Sequence, residues 1–273
     1  TPLYSSAASD VYKRQIMAMR QTGLPFGVNL PIRFLKDDAM LRFVCESGVR
    51  FVTTSAGSPA KFVAPLQSAG IAVYHAVPTL EAALKCADAG VDGLVVEGSE
   101  GGGFKNPEEV STLVLLQAIR EKTDLPLIAA GGIVDGRGMA AAFALGAEAI
   151  QMGTRFVACA ESPVHAHYKQ AIVDASTTGT YMLNTKSSPC IRALKAPFTQ
   201  SLHESGLMGP DAFQGIQQVY FGGDMNAAPA LAGQSAGLVH EVLTAQQIIE
   251  QTVAQFRSIS ARLGQLAQQA SFG

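Results

Sequence analysis

From residue 25 onward the chain repeats one pattern: a short apolar run, a polar joint, an amphipathic stretch of helical period, and a glycine. Residues 26–30, 50–54, 71–75, 93–97, 125–130 and 149–152 read as strands, each a brief apolar run bounded by turn residues. Between the first two, Met40, Leu41, Val44 and Cys45 share one helical side, with Asp37 or Asp38 as the cap. Ser58 and Pro59 offer an N-cap and a first-turn proline to the next helix, which Pro65 should kink. Thr79 caps a helix over residues 80–89; another covers 110–122, and Met139, Ala142, Phe143 and Leu145 mark one over 138–145. Gly48, Gly70, Gly90 and Gly146 each follow a helix, where a left-handed residue ends it.

Alternating strands and helices with short joints imply parallel strands and right-handed crossovers. The expected fold is α/β, of the TIM (β/α)₈ barrel type. We count six strands where closure needs eight, so the barrel is expected to lack its first two. Residues 1–15 carry no strand pattern and resemble translated adapter sequence, so they are set aside as a non-native leader, the alternative being a native helix start capped by Ser9 or Asp10. After Arg155 the pattern changes. Ser162 and Pro163 should start a helix, and residues 177–231 are rich in Gly, Pro, Ser and Asn with weak periodicity. A stretch that long reads as a functional lid. The organisation expected is an incomplete barrel over 16–173 and 234–273, with a small lid or substrate domain over 174–233. Ile248, Ile249, Val253, Phe256, Ile259, Leu263 and Leu266 form the apolar stripe of a closing helix expected to pack on the outside of the barrel.

Composition narrows the chemistry. Charged residues make up only 15% of the 273 and hydrophobic ones 48%, the balance of a parallel sheet covered by helices. A net charge of −2 gives no reason to propose nucleic acid or an anionic membrane as partner. Cys45, Cys86, Cys159 and Cys190 are far apart and form no CxxC pair, so neither a metal site nor a disulfide framework is expected. No run approaches the roughly 18 apolar residues of a membrane span. The expected setting is a reducing cytoplasm, and the oligomeric state is left open.

The strand ends point to the site, because barrels of this type carry their chemistry at the C-terminal face. Those ends supply Asn29, Ser55, His75, Glu97, Gly131, Gly132, and then Gln151, Met152, Gly153 and Thr154. Two glycine turns after neighbouring strands let backbone N–H groups approach an anion, which suggests a phosphate. The most unusual loop, residues 97–106, contains Gly101, Gly102 and Gly103 in succession, at an entropic cost that suggests close approach of something flat or charged.

These motifs, with Phe26-Gly27-Val28-Asn29, Asp135-Gly136-Arg137, Glu161-Ser162 and Gly233-Gln234 to Gly237, resemble the nitronate monooxygenase family and its relatives, the FMN-dependent enoyl-acyl carrier protein reductases. The resemblance implies a barrel that binds FMN without a covalent bond. It implies that backbone groups of Gly132, Gln151, Met152, Gly153 and Thr154 hold the phosphate, while Asn29, Glu97 and Gly102 lie along the ribityl chain and ring; Gly131 also counts among the cofactor-binding residues. Phe104, Gln234 and Ser235 are expected beside the substrate, with His75, at its strand end, a further candidate. Many relatives have glutamine at the position of Glu97, whereas the reductases tend to have glutamate.

One departure bears on mechanism: family members usually carry a histidine where this chain has Phe104. Phenylalanine cannot accept a proton, so no base is assigned and the catalytic residue is left unknown. The expected activity is oxidation of an alkyl nitronate, already an anion, by flavin and molecular oxygen. The alternatives are reduction of an enoyl thioester by NAD(P)H, and a truncated flavin- or phosphate-binding protein without turnover. His165 and His167, two apart on an expected helix, should point to different sides and hold no metal jointly. His75 reads equally well as a substrate contact or a hydrogen-bonded core histidine. Asp135 reads as a helix cap.

Overall fold

The computed structural model describes residues 6–35 and 38–269. In chain order it contains α1 (Ser6–Gln21), β1 (Gly27–Pro31), α2 (Ala39–Glu46), β2 (Phe51–Ser55), α3 (Ala60–Ser68), β3 (Ala72–Val77), α4 (Leu80–Asp88), β4 (Gly93–Glu97) and β5 (Gly103–Lys105). There follow α5 (Thr112–Arg120), β6 (Leu127–Ala130), α6 (Gly136–Ala144), β7 (Ala149–Gln151), α7 (Thr154–Val157) and α8 (Ala166–Val173). The last third holds β8 (Thr180–Leu183), β9 (Cys190–Leu194), α9 (Pro197–Ser205), α10 (Ile216–Gly222) and α11 (Ala245–Gln269). The six expected strands form one sheet in the order β1-β2-β3-β4-β6-β7, a TIM-barrel-like α/β arrangement. A second sheet, β5-β9-β8, has no counterpart in the sequence reading.

The chain divides into two compact units, Thr1–Val96 with Ala118–Ile128, and Glu97–Gln117 with Ala129–Gly273. In the first, β1, β2, β3 and β4 pair in parallel, with Leu30 opposite Thr54, Thr54 opposite His75 and His75 opposite Leu94. That row lies on the buried face: Thr54 and Leu94 are fully covered, as are Val52, Val73 and Val77. Strand β3 alternates half-buried and buried residues along its length, as a period-2 element with one well-covered face must. Helices α2 and α3 contribute Val44 and Leu66, both fully buried, and Pro65 sits inside α3.

Helix ends follow local chemistry. Thr79 caps α4, its hydroxyl accepting from the Ala82 N–H at 3.1 Å. Gly48, Gly70, Gly90 and Gly146 have φ of 74°, 75°, 82° and 93°, so each adopts the left-handed conformation that the repeat predicted. Asp38 stands at the N-cap of α2 without a side-chain cap bond, and Asp37 lies outside the described residues. The described part of the segment set aside as a leader is helical. Ile16 of α1 is buried, and the Tyr12 hydroxyl donates to the Asn29 carbonyl.

The second unit has its own core, in which Tyr168, Ile172, Val219, Ala228, Ala230 and Ala236 are fully buried. The helix expected from Ser162 begins only at Ala166, because His165 is its N-cap. Consequently the side-by-side rule for helical positions does not govern His165 and His167: their rings stand 4.6 Å apart, edge to face, and His165 Nδ1 accepts from the His167 N–H. Helix α11 meets the expectation over half its length. Phe256 packs edge to face on Phe143 of α6 at 5.1 Å and Ile248 is buried, but Ile249, Leu263 and Leu266 are exposed. Among the described residues, no helix is long and apolar enough to cross a membrane.

Candidate functional site

Four backbone segments of the second unit converge on one another, and glycine lets them do so. Strand β6 ends at Ala130, and Gly131 and Gly132 follow with φ of 91° and 75°, a left-handed pair costly for any other residue. A Cβ on Gly131 would stand 3.1 Å from the Gly101 nitrogen and from Thr112 Oγ1; one on Gly132 would stand 3.5 Å from Glu100 Cβ. A Cβ on Gly102 would lie 2.5 Å from the Ala232 carbonyl carbon, and one on Gly233 would lie 2.5 Å from the Glu100 oxygen. The Gly233 N–H donates to Thr154 Oγ1 at 2.9 Å, and the Gln234 N–H donates to the Glu100 carbonyl at 2.9 Å. Gly132 and Thr154 thus reach the same cluster, one through Glu100 and the other through Gly233.

These distances revise the reading of the triple glycine. Gly101 and Gly102 leave room for the protein's own chain: Glu97 and Lys105 at the first, Ala232 and Gly233 at the second. Gly103 turns with φ of 83° into β5. Gly153 is different. Its φ is −94°, and no protein atom lies within 4 Å of where a Cβ would stand. Gln151 beside it is exposed and Met152 half-buried, while Thr154 is buried by its bond to Gly233.

The carboxylates in the cluster are compensated. Glu100 accepts from the Thr112 N–H at 2.9 and 3.1 Å and from the Thr112 hydroxyl at 3.1 Å, which caps the start of α5. Thr112 Oγ1 also lies 3.0 Å from the Ala130 carbonyl and 3.1 Å from that of Gly131, so it ties α5 to the end of β6. Glu97 pairs with the Lys105 ammonium. Arg192, on β9, donates to the Ser99 carbonyl at 2.7 Å and reaches Glu109 at 3.4 Å; burial lowers its pKa. Sequence reasoning missed Glu100, Lys105, Thr112 and Arg192. Glu100 and Lys105 lie within the glycine-rich loop of residues 97–106, whereas nothing local marks Arg192.

The substrate-side candidates separate. Phe104 is 40% exposed on β5 and its ring stands 5.7 Å from Phe213. Ser235 is buried and Gln234 exposed. In the first unit, Asn29 is exposed, its Oδ1 accepting from the Thr53 hydroxyl at 3.1 Å. His75 is a core histidine: it is 4% exposed, its Nδ1 is 2.7 Å from Thr54 Oγ1, and burial pushes its pKa down to about 4. That geometry decides against the substrate contact left open above. Asp135 is the cap of α6, accepting from the Arg137 and Gly138 N–H groups.

Arg155 follows Thr154 but serves another place. It is buried, donates to the Glu241 carbonyl at 2.8 Å, and lines a cavity of about 460 Å³ with Arg137, His240, Leu243 and Gln255. Among the described residues, no group of three or more His, Cys, Asp or Glu could hold a metal ion.

A TIM-barrel-like sheet with adjoining glycine turns at its strand ends defines a class of small-molecule-binding α/β proteins. Within that class the sequence matches the family described as nitronate monooxygenase over residues 4–255, and the chain belongs to that family. It is 34% identical over 256 residues to a nitronate monooxygenase of Pseudomonas aeruginosa, covering 85% of this chain and 72% of that one. It is also 34% identical over 210 residues to an indene-carboxyl-CoA dehydrogenase of Rhodococcus jostii, covering 76% of this chain but only 57% of the relative. The structure of FabK from Thermotoga maritima superposes with a TM-score of 0.89 at 38% identity, over 94% of this chain and 84% of that chain.

Proposed function

We propose that this chain carries the flavin site of an FMN-dependent oxidoreductase that oxidises alkyl nitronates with molecular oxygen. The observation that carries the reading is the convergence of Gly132 and Thr154 on one cluster, with open space beside Gly153, in a chain of the nitronate monooxygenase family. The residues fit a phosphate: the space beside Gly153 is free of protein, the Glu97 carboxylate is paired with the Lys105 ammonium, and the Glu100 carboxylate is bonded to the Thr112 N–H. In this reading Gly131, Gly132 and residues 151–154 hold the FMN phosphate, and Glu97 and Gly102 border the rest. Bound FMN would supply a two-electron acceptor that oxygen can reoxidise. The chain's own part is to bind, orient and exclude water.

Phe104 narrows the substrate class, for an exposed phenyl ring can pack on an alkyl group but cannot take a proton from a neutral nitroalkane. A nitronate needs no such base. The test is oxygen consumption by the FMN-loaded chain with ethylnitronate and with freshly dissolved nitroethane. Turnover of the anion only is expected; equal turnover of both would sink the substrate assignment. A second reading, reduction of an enoyl thioester by NAD(P)H, is favoured by the likeness to a CoA-thioester dehydrogenase. Anaerobic mixing decides between them: bleaching of the flavin by NADPH and not by ethylnitronate would favour the reductase. A chain that takes up FMN and is reduced by neither would leave binding without turnover.

A further inference from the structure

We propose that Lys105 is a positioning residue whose ammonium balances the Glu97 carboxylate inside the glycine loop, letting the loop hold its ligand without a net negative charge. The inference deepens the flavin reading above and rests on it. Lys105 lies at the end of β5, immediately after Phe104, yet its side chain is only 4% exposed, against 30% for Glu97. The ammonium donates to Glu97 Oε1 and lies 3.5 Å from the Gly98 carbonyl. A Cβ on Gly101 would fall 2.6 Å from that ammonium and 2.5 Å from Glu97 Oε1. The ion pair therefore fills the place a side chain would need at position 101, which explains the glycine there without invoking a ligand.

What fixes Lys105 is the antiparallel sheet. Lys105 pairs with Cys190 and Gly103 with Arg192, and Arg192, also 4% exposed, holds the Ser99 carbonyl at 2.7 Å. Two buried cations from neighbouring strands thus reach consecutive carbonyls of one loop, those of Gly98 and Ser99. Glu97 is the residue expected beside the flavin, and an uncompensated carboxylate there would repel a phosphate, or a flavin ring as it takes up electrons. Lys105 removes that repulsion while leaving Glu97 its second oxygen as an acceptor. Removing one partner of a covered ion pair is costly, whereas removing both is often close to neutral. That asymmetry separates a charge-balancing lysine from one that merely packs.

The experiment uses the full chain with K105M, E97Q and the double variant E97Q/K105M. FMN affinity is read by fluorescence titration, and the unfolding equilibrium of the flavin-free protein by urea. K105M should bind FMN more weakly by about tenfold or more at pH 7, and E97Q/K105M, which lacks the carboxylate as well, should bind at least about threefold more tightly than K105M. Equal weakening in K105M and the double variant, or no weakening in either, overturns the proposal. If the parent takes up no FMN, the flavin reading fails, and the urea cycle alone decides the pairing. Coupling of about tenfold or more in the unfolding constant supports it, and additive effects refute it.

Discussion

Three glycines of the site should respond to the same added methyl group in three different ways. At Gly102 an alanine Cβ would lie 2.5 Å from the Ala232 carbonyl carbon, 2.6 Å from the Gly233 nitrogen and 2.8 Å from Ala232 Cα. All three are backbone atoms, so the strain cannot be relieved by turning a side chain, and G102A should cost about 1–3 kcal/mol or more by overpacking. At Gly103 nothing lies within 4 Å, but φ is 83°, so G103A should cost roughly 1–2 kcal/mol from conformation alone. At Gly153 nothing lies within 4 Å and φ is −94°, so G153A should change stability by less than about 0.5 kcal/mol. The assay is thermal and urea unfolding of the flavin-free proteins, where each kcal/mol moves the midpoint by about 2–4 °C for a chain approaching this size. FMN titration of the same samples should reverse the order for Gly153: the methyl group takes the space assigned to a phosphate, and affinity should fall about tenfold, near 1.4 kcal/mol. A G153A protein as unstable as G102A, or one that binds FMN as the parent does, would refute the assignment of open space to a ligand.

Four further outcomes follow from individual contacts. T154V removes the acceptor of the Gly233 N–H, and leaving that buried donor unpaired should cost about 1–3 kcal/mol with a parallel loss of FMN affinity, read by urea unfolding and titration. D135A removes the cap of α6, so it should lower stability by about 1 kcal/mol and leave FMN affinity unchanged. His75 has a folded pKa of about 4, below its unfolded value of 6.5, so the unfolded chain binds the extra proton first. The stability this neutral histidine supports is present above pH 6.5 and declines toward pH 4, by up to about 3 kcal/mol, a slope that H75Q should flatten. F104H should confer turnover of neutral nitroethane on the FMN-loaded chain, in an oxygen-uptake assay where the parent shows none.

The parts of this fold legible in the sequence are those decided within a few residues. Gly48, Gly70, Gly90 and Gly146 announce helix ends because a left-handed residue is required just after the last turn, and Thr79 and Asp135 announce helix starts because their oxygens reach N–H groups two or three positions on. The glycine segments were legible as a place of close approach. What approaches was not, because the neighbours of Gly102 and Gly233 come from segments more than a hundred residues apart in the chain. Strand β5 is three residues long and exists by pairing with β9, so no periodicity of its own could reveal it, and the roles of Lys105 and Arg192 depend on that pairing. His75 shows the limit from the other side. Its strand was clear, but which face of the strand is covered depends on Thr54 and Leu94 across the sheet.

The most direct test of the central claim compares FMN with riboflavin, which lacks only the phosphoryl group, in equilibrium titrations of the flavin-free chain. If the turns at Gly132 and Gly153 grip a phosphate, FMN should bind about a hundredfold more tightly or better, a difference of about 2.7 kcal/mol, and added inorganic phosphate should compete. Equal affinity for the two flavins, or no uptake of either, would contradict it.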